Sequence, residues 1–351
     1  MSSDLKPYSH PSAWYGKDLA KSTEWMIRLD EGELSELEAA LDRVKTAGLQ
    51  IPGISKADFP LPRLQPRLEE IKRELADGRG FVLLRGLPVE KLSKMDAAIM
   101  YWGLGTHLGP AFAQNAQGDV LGHVRDIGVD WKTNMKARGY QTHMNIPFHN
   151  DSTDVVGLMC LRKARKGGES RLVSSTAIYN EFLARRPDLL DVMMQPLYVD
   201  RRGEESEGQN PYYVQPCFNF VDGRLFVRYN RTFIESAQRF PDVPRLTPRH
   251  IEAMDLMDAL CDDPGICLDM GFEPGDIQLV CNYVVLHSRN DFEDWEDPDR
   301  RRHLLRLWVN IPGFEKLPAA FADRNADMVA WQRHPRPPVF DNSAGMATLA
   351  H

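Results

Sequence analysis

Leu34, Leu37, Leu41 and Val44 recur at three- and four-residue intervals, the spacing that lines one face of an α-helix. Asp30 and Glu33 stand at its start as an N-cap and its capping-box partner, and Gly48 marks its end. Leu68, Ile71 and Leu75 predict a second amphipathic helix, closed by Gly78. The run GFVLLRG then predicts a buried strand over 81–84. A further helix is expected over 96–104, whereas 114–145 is rich in Gly, Asn and Asp and reads as irregular loops with short strands.

From Val155 the pattern changes to short apolar runs separated by turn residues. VVGLMCL is followed by the turn KGGES, the run RLVSS and a helix-like stretch over 177–186. FNFV and LFVRYN flank the turn Asp222-Gly223, IQLVCNYVVL follows the turn EPGD, and HLLRLWVNI closes the series. Short strands without repeating helical crossovers predict an antiparallel sandwich or barrel. One more helix is expected over 247–261, with Ile251, Met254 and Met257 as core positions; a methionine stripe at this spacing is ordinarily packing. The tail from Pro318 shows no clear periodicity and is expected to wrap the surface or be partly mobile.

A chain of 351 residues with 42% hydrophobic content can bury a large core, and we read it as one domain. Its net charge of −7 excludes the concentrated Lys and Arg excess that binds nucleic acid or anionic membranes, leaving a small-molecule partner. The five cysteines have no C-x-x-C spacing, which fits neither a disulfide framework nor a zinc knuckle and favours a reducing cytoplasm. The N-terminus lacks a basic start followed by an apolar stretch, and no run of eighteen apolar residues occurs, so neither secretion nor membrane spanning is expected. Self-association is left open.

Candidate chemistry centres on His149, Asn150 and Asp151, with His287 far downstream. Residues two apart on an extended strand project to one side, so His149 and Asp151 can reach one metal while Asn150 points away. Two imidazoles and a carboxylate hold a divalent iron on one face and leave the other open. With ten histidines in the chain, about one His-x-Asp pair arises by chance, and a lone His287 reads equally as a bonded core histidine, so the partnership carries the reading. His287 ends the run IQLVCNYVVL and should emerge from a rigid scaffold.

Arg302, Leu304, Arg306 and Trp308 alternate with His303, Leu305, Leu307 and Val309, giving one cationic and one apolar strand face. If the cationic face lines a barrel interior, the guanidinium groups need an anionic partner, which a dicarboxylate would supply. The alternative is surface pairing with the acidic stretch of Asp291, Glu293, Asp294, Glu296, Asp297 and Asp299.

The ordered set of His149-x-Asp151, Gly167-Gly168-Glu169-Ser170, Pro274-Gly275-Asp276, His287-x-Arg289 and Arg302-His-Leu-Leu-Arg306-Leu-Trp308 resembles the TauD/TfdA group of iron(II)- and 2-oxoglutarate-dependent dioxygenases, to which clavaminate synthase is also similar. The similarity runs over about 80–313. It implies an α+β fold: a double-stranded β-helix, or jelly roll, with helices packed outside. The organisation expected is a helical N-terminal extension over 1–78, a jelly-roll catalytic core with inserted loops over 79–314 and a C-terminal tail over 315–351.

By this resemblance His149, Asp151 and His287 match the Fe(II) ligands, and Arg302 matches the arginine that grips the distal carboxylate of 2-oxoglutarate. Ser170 falls where the family often has a threonine hydroxyl on that carboxylate. Arg306 matches a position that contacts substrate or cosubstrate in some members, and Asn145 one where a branch places a substrate-contacting amide. Three protein ligands leave three coordination positions, two for 2-oxoglutarate and one for dioxygen, and the reaction releases succinate and CO2. Related halogenases replace the ligand carboxylate by a small residue, so by this resemblance Asp151 favours hydroxylation over halogenation. Desaturation, cyclisation or oxidative cleavage at the same centre, or a non-catalytic binding module on the same fold, are the alternatives.

The polar insertion RRGEESEGQNPYY, over 201–213, is a candidate lid or else a solvated loop. Arg228 alternates with Phe226 and Asn230 and either adds a cation to the pocket or forms a surface ion pair. Convergence of two or three of Arg228, Arg306, Tyr213 and Tyr229 would indicate an anionic substrate, a small organic acid or amino-acid derivative.

Overall fold

The computed structural model describes residues 5–130, 133–134, 137–205, 207–314 and 316–340. Its strands sort into two main sheets. In order of pairing the larger contains Met26–Arg28, Phe81–Arg85, Ile277–Cys281, Val155–Arg162, His303–Val309 and Ala111–Phe112, with Leu121–Val124 also paired to His303–Val309. The smaller contains Leu268–Met270, Ser170–Ser174, Val285–Arg289 and Ile146–His149. From Leu121 to Val309 the chain crosses repeatedly between the two, and the neighbouring strands of this stretch are antiparallel. This is the double-stranded β-helix, an α+β fold once its helices are added.

The strands Val155–Arg162 and Ile277–Cys281 are buried on nearly every residue because helices cover the outer face of the larger sheet. One is Gln65–Asp77, which buries Leu68, Ile71 and Leu75; another is Lys94–Leu108, buried almost all round. At Gly157 a side chain would collide with the Tyr101 hydroxyl, so glycine lets this second helix seat on the sheet. The helix Glu31–Thr46 begins with the expected reciprocal box, in which Asp30 accepts from the Glu33 N–H and Glu33 from the Asp30 N–H. It buries Leu37, Ala40, Leu41 and Val44.

Between Ser174 and Leu268 a long insertion builds a second apolar cluster. The helix Ser175–Arg185 starts at Ser174, whose hydroxyl accepts from the Ala177 N–H, and packs with Pro187–Met193 and Pro248–Asp262. Met254 and Met257 lie in this cluster, as the methionine stripe predicts. The hairpin Phe218–Val221 and Arg224–Val227 turns at Asp222 and Gly223, both at positive φ.

Three expectations are corrected. IQLVCNYVVL is two strands in different sheets, Ile277–Cys281 and Val285–Arg289, because Asn282 turns the chain and its side chain bonds the backbone of Asp151 and Thr153. His287 therefore sits inside the second strand, where both neighbouring strands hold it, and does not end the first. LFVRYN stops being strand at Val227, since Asn230 instead caps the helix Arg231–Ser236. The tail forms a helix, Ala322–Trp331, that buries Arg324, Asp327, Met328 and Trp331; 341–351 lie outside the described residues. Among the described residues no helix is long and apolar enough to cross a membrane.

Candidate metal centre and substrate pocket

His149 and His287 are direct cross-strand partners in the smaller sheet. Opposed residues of an antiparallel pair present their side chains on one face, and here the two ring centroids are 4.4 Å apart. Asp151 follows the strand Ile146–His149, and its backbone N–H donates to Asn282 Oδ1 at 3.0 Å. Asn150 points the other way, as expected, donating to the carbonyls of Asn282 and Val285 at 2.6 and 2.9 Å. A pair of asparagines thus sets which side of the chain Asp151 occupies.

His149 Nε2 lies 4.0 Å from Asp151 Oδ1, and His287 Nε2 lies 3.9 Å from Asp151 Oδ2. The two imidazoles approach different oxygens of Asp151, and ligands side by side on one ion at about 2.1 Å stand about 3 Å apart, so sharing an ion draws the three side chains together by about 1 Å. All three residues offer ligand atoms within 4.8 Å of one another. His149 Nδ1 faces the Pro147 carbonyl at 2.9 Å, which fixes the Nδ1–H tautomer and leaves the Nε2 lone pair for a metal. Burial, reinforced by His149, pushes His287 down to about 3 against the pull of Asp151, so its imidazole is held in the neutral, ligating form. Burial alone would raise the Asp151 carboxyl; Arg306, the two histidines and the Trp308 indole outweigh it and hold the carboxyl below its ordinary value.

Arg306 and Trp308 do share a strand face. Trp308 Nε1 donates to Asp151 Oδ2 at 3.0 Å, and Arg306 Nη1 lies 3.6 Å from that oxygen. Arg306 is steadied by Gln114, which accepts from its Nε at 2.7 Å, and by the Tyr140 ring 4.4 Å below its guanidinium.

Arg302 is buried at the start of the same strand, and burial pushes its guanidinium down to about 10, the direction expected of a cation short of a counter-ion. Its Nη2 donates to the Gly168 carbonyl at 3.4 Å, and Nη1 has no partner. Of the acidic stretch, Asp294 meets Arg302 through the backbone N–H at 2.7 Å. Gly168 stands at φ +77° with its missing side chain 3.0 Å from Arg302 Nε, which makes room for the guanidinium. Ser170 Oγ, also buried, is bonded to the Gln278 amide, and Arg302 borders a separate cavity of about 110 Å³. The orphaned Nη1 and the His149, Asp151 and His287 donor set fit a metal-bound dicarboxylate in chemistry.

A pocket of about 140 Å³ opens beside the three candidate ligands, lined by His149 and Asp151 but not by the deeper His287. Arg306, Arg228, Tyr213 and Tyr229 converge on it, whereas Ser170, Arg302 and Asn145 lie outside its lining. Asn145 is exposed, and its amide donates to the Arg289 carbonyl at 3.3 Å. Tyr229 contributes no free hydroxyl, since its phenol donates to Asp258 at 2.9 Å. The insertion 201–213, apart from Ser206 outside the described residues, begins with buried Arg201 and Arg202 and supplies Arg202, Glu204 and Tyr213 to the wall. Sequence reasoning missed Arg138, Arg202, Glu204 and Arg324. For Arg324 a signal existed: Phe321, Met328 and Trp331 repeat at helical spacing in the tail.

The chain matches the model of the family described as "Taurine catabolism dioxygenase TauD, TfdA family" over residues 45–308. It is 33% identical to FR-33289 synthase of Streptomyces rubellomurinus over 333 residues, 93% of this chain and 96% of that protein. Among solved structures, asparagine oxygenase bound to Fe(II), 3-hydroxyasparagine and succinate aligns with a TM-score of 0.65 at 18% identity, covering 82% of this chain and 94% of that one. The iron oxygenase OrfP with Fe and α-ketoglutaric acid aligns with a TM-score of 0.60 at 17% identity, covering 81% and 94%. The chain belongs to the TauD/TfdA family and is a non-haem iron(II)- and 2-oxoglutarate-dependent dioxygenase.

Proposed function

We propose that this dioxygenase hydroxylates a small anionic molecule, an organic acid or amino-acid-like compound, beside an iron held by His149, Asp151 and His287. The observation that carries this reading is the direct opposition of His149 and His287 with Asp151 within 4 Å of each imidazole Nε2. Bound together, iron, 2-oxoglutarate and dioxygen supply the oxidant, with release of succinate and CO2. Arg302 grips the distal carboxylate of 2-oxoglutarate, and its orphaned Nη1 supports that role. Ser170 adds a hydroxyl to the same carboxylate if it releases Gln278. Arg306, Arg228 and Tyr213 orient the substrate, whose C–H bond must lie beside the metal and off it. The hydroxylated amino acid in asparagine oxygenase supports an amino-acid-like substrate. Five buried, unbridged cysteines support a reducing cytoplasm.

The test supplies iron, 2-oxoglutarate and air to the enzyme with a panel of small carboxylates and amino acids, and measures succinate and product mass. Substrate-stimulated succinate with a product heavier by one oxygen is expected. A product lighter by two hydrogens would replace hydroxylation by desaturation, and succinate that no panel member stimulates would reject this substrate class.

A further inference from the structure

The strand Ile277–Cys281 is buried throughout and apolar except at Gln278, which is 1% exposed. Gln278 opposes Leu158, which on its other side opposes Arg306, so these three side chains share the inner face of the larger sheet. There the Gln278 amide meets the smaller sheet. Its Nε2 donates to Ser170 Oγ at 2.9 Å and to Met270 Sδ at 3.1 Å, and its Oε1 accepts from Ser170 Oγ at 3.1 Å. Ser170 and Met270 are themselves cross-strand partners. Arg302 reaches the same neighbourhood, since its cavity is bordered by Gly168, two residues before Ser170, by Gly271, next to Met270, and by Cys160, two residues beyond Leu158. A thioether sulfur is a weak acceptor, so one of the two amide hydrogens is poorly satisfied in a closed interior. Leucine at 278 would avoid that cost, and only a ligand with a stronger acceptor repays the amide.

We propose that Gln278 is a cosubstrate-binding residue: its amide turns a donor from Met270 to the distal carboxylate of 2-oxoglutarate, beside Ser170 and Arg302. An ionised carboxylate accepts from several donors at once, and a neutral amide adds one without burying a second cation beside Arg302. The other amide hydrogen serves Ser170. A serine has no β-methyl to restrict its hydroxyl to one rotamer, and the bond from Gln278 Nε2 holds it instead. Gln278 and Ser170 thus act on the carboxylate end of the cosubstrate and leave its keto-acid end to the metal.

This inference rests on the oxygenase reading and on Arg302 as the anchor of 2-oxoglutarate, and the experiment separates them. Anaerobic titrations of the iron-loaded protein follow the visible absorption band with 2-oxoglutarate and with 2-oxopentanoate, which has the same carbon chain and no distal carboxylate. Gln278→Met keeps the side-chain length and removes the amide. It should weaken 2-oxoglutarate by about tenfold, the scale of one charge-assisted bond, and change 2-oxopentanoate by less than about twofold. Met270→Leu removes the sulfur and leaves the amide, so 2-oxoglutarate affinity should hold within about twofold or improve. Unchanged 2-oxoglutarate affinity in Gln278→Met, or equal loss of both acids, would overturn the proposal, as would a loss in Met270→Leu that matches it. If Gln278→Met does not fold, Gln278→Asn withdraws the amide by one carbon and is read against the same two acids with the same expectations. A wild-type band that weakens in Arg302→Gln but ignores Gln278 overturns this inference alone, whereas no band with the wild-type protein overturns the oxygenase reading and this inference with it.

Discussion

Trp308 donates its indole N–H to Asp151 Oδ2 at 3.0 Å, so one oxygen of the candidate metal-binding carboxylate is already engaged by the strand that also carries Arg306. A partner of this kind orients a ligand that would otherwise rotate. Trp308→Phe keeps the ring and removes the donor. Fe(II) affinity should fall about tenfold or more, measured by anaerobic titration. Unchanged affinity would mean that the indole merely packs.

Gly168 should govern the cosubstrate and not the metal. A methyl there would stand 3.0 Å from Arg302 Nε, on backbone at φ +77° that disfavours other residues. Gly168→Ala should weaken 2-oxoglutarate binding by about tenfold, the scale of one charge-assisted bond lost, with Fe(II) binding kept. Parallel loss of both would point to a disturbed fold.

Asp276 anchors the turn that precedes Ile277–Cys281. It is fully buried, receives Arg85 Nε and Nη2 at 2.7 and 2.6 Å, and also accepts from the Glu273 N–H at 2.8 Å. Breaking a buried pair by removing one partner strands the other charge. Asp276→Ala should cost about 3 kcal/mol or more in urea unfolding of the metal-free protein, and a loss under about 1 kcal/mol would contradict the anchoring role.

His123 on Leu121–Val124 and His303 on His303–Val309 form a part-buried pair, Nδ1 to Nε2 at 2.8 Å. Burial pushes His123 down to about 4 and His303 well below its ordinary value, each helped by neighbouring cations. Both folded values lie below the unfolded value of about 6.5, so the unfolded chain takes up protons first as pH falls. Stability from keeping the pair neutral is complete above about pH 6.5 and is lost as pH drops toward 4. The melting temperature of metal-free wild type should fall more steeply between pH 7 and 5 than that of the His123→Gln, His303→Asn double variant. Parallel curves would remove the pair from acid sensitivity.

The two-residue and three-to-four-residue periodicities carried much of the fold. They located Glu31–Thr46, Gln65–Asp77 and His303–Val309, because each buries one face or lies between covered surfaces. They failed at Asn282, where the apolar run continues through a turn fixed by side-chain bonds to residues about 130 positions earlier. Long-range bonds of that kind have no local signature. The same applies to the site. The candidate metal ligands and the Arg306 and Trp308 face were legible as short patterns, whereas the cross-strand register of His149 with His287 is a property of the assembled sheet. Arg138, Arg202 and Arg324 are ordinary arginines in loops and a tail until packing collects them around Glu204 and the pocket.

The central claim is a single iron site shared by His149, Asp151 and His287 that presents 2-oxoglutarate to Arg302. Its most direct test is an anaerobic titration of the wild-type protein with Fe(II) and 2-oxoglutarate, followed by visible absorption. A weak charge-transfer band should grow to saturation at one iron per chain, vanish in His149→Ala and His287→Ala, and need more 2-oxoglutarate in Arg302→Gln. No band with the wild-type protein, or a band untouched by loss of either histidine, would contradict it.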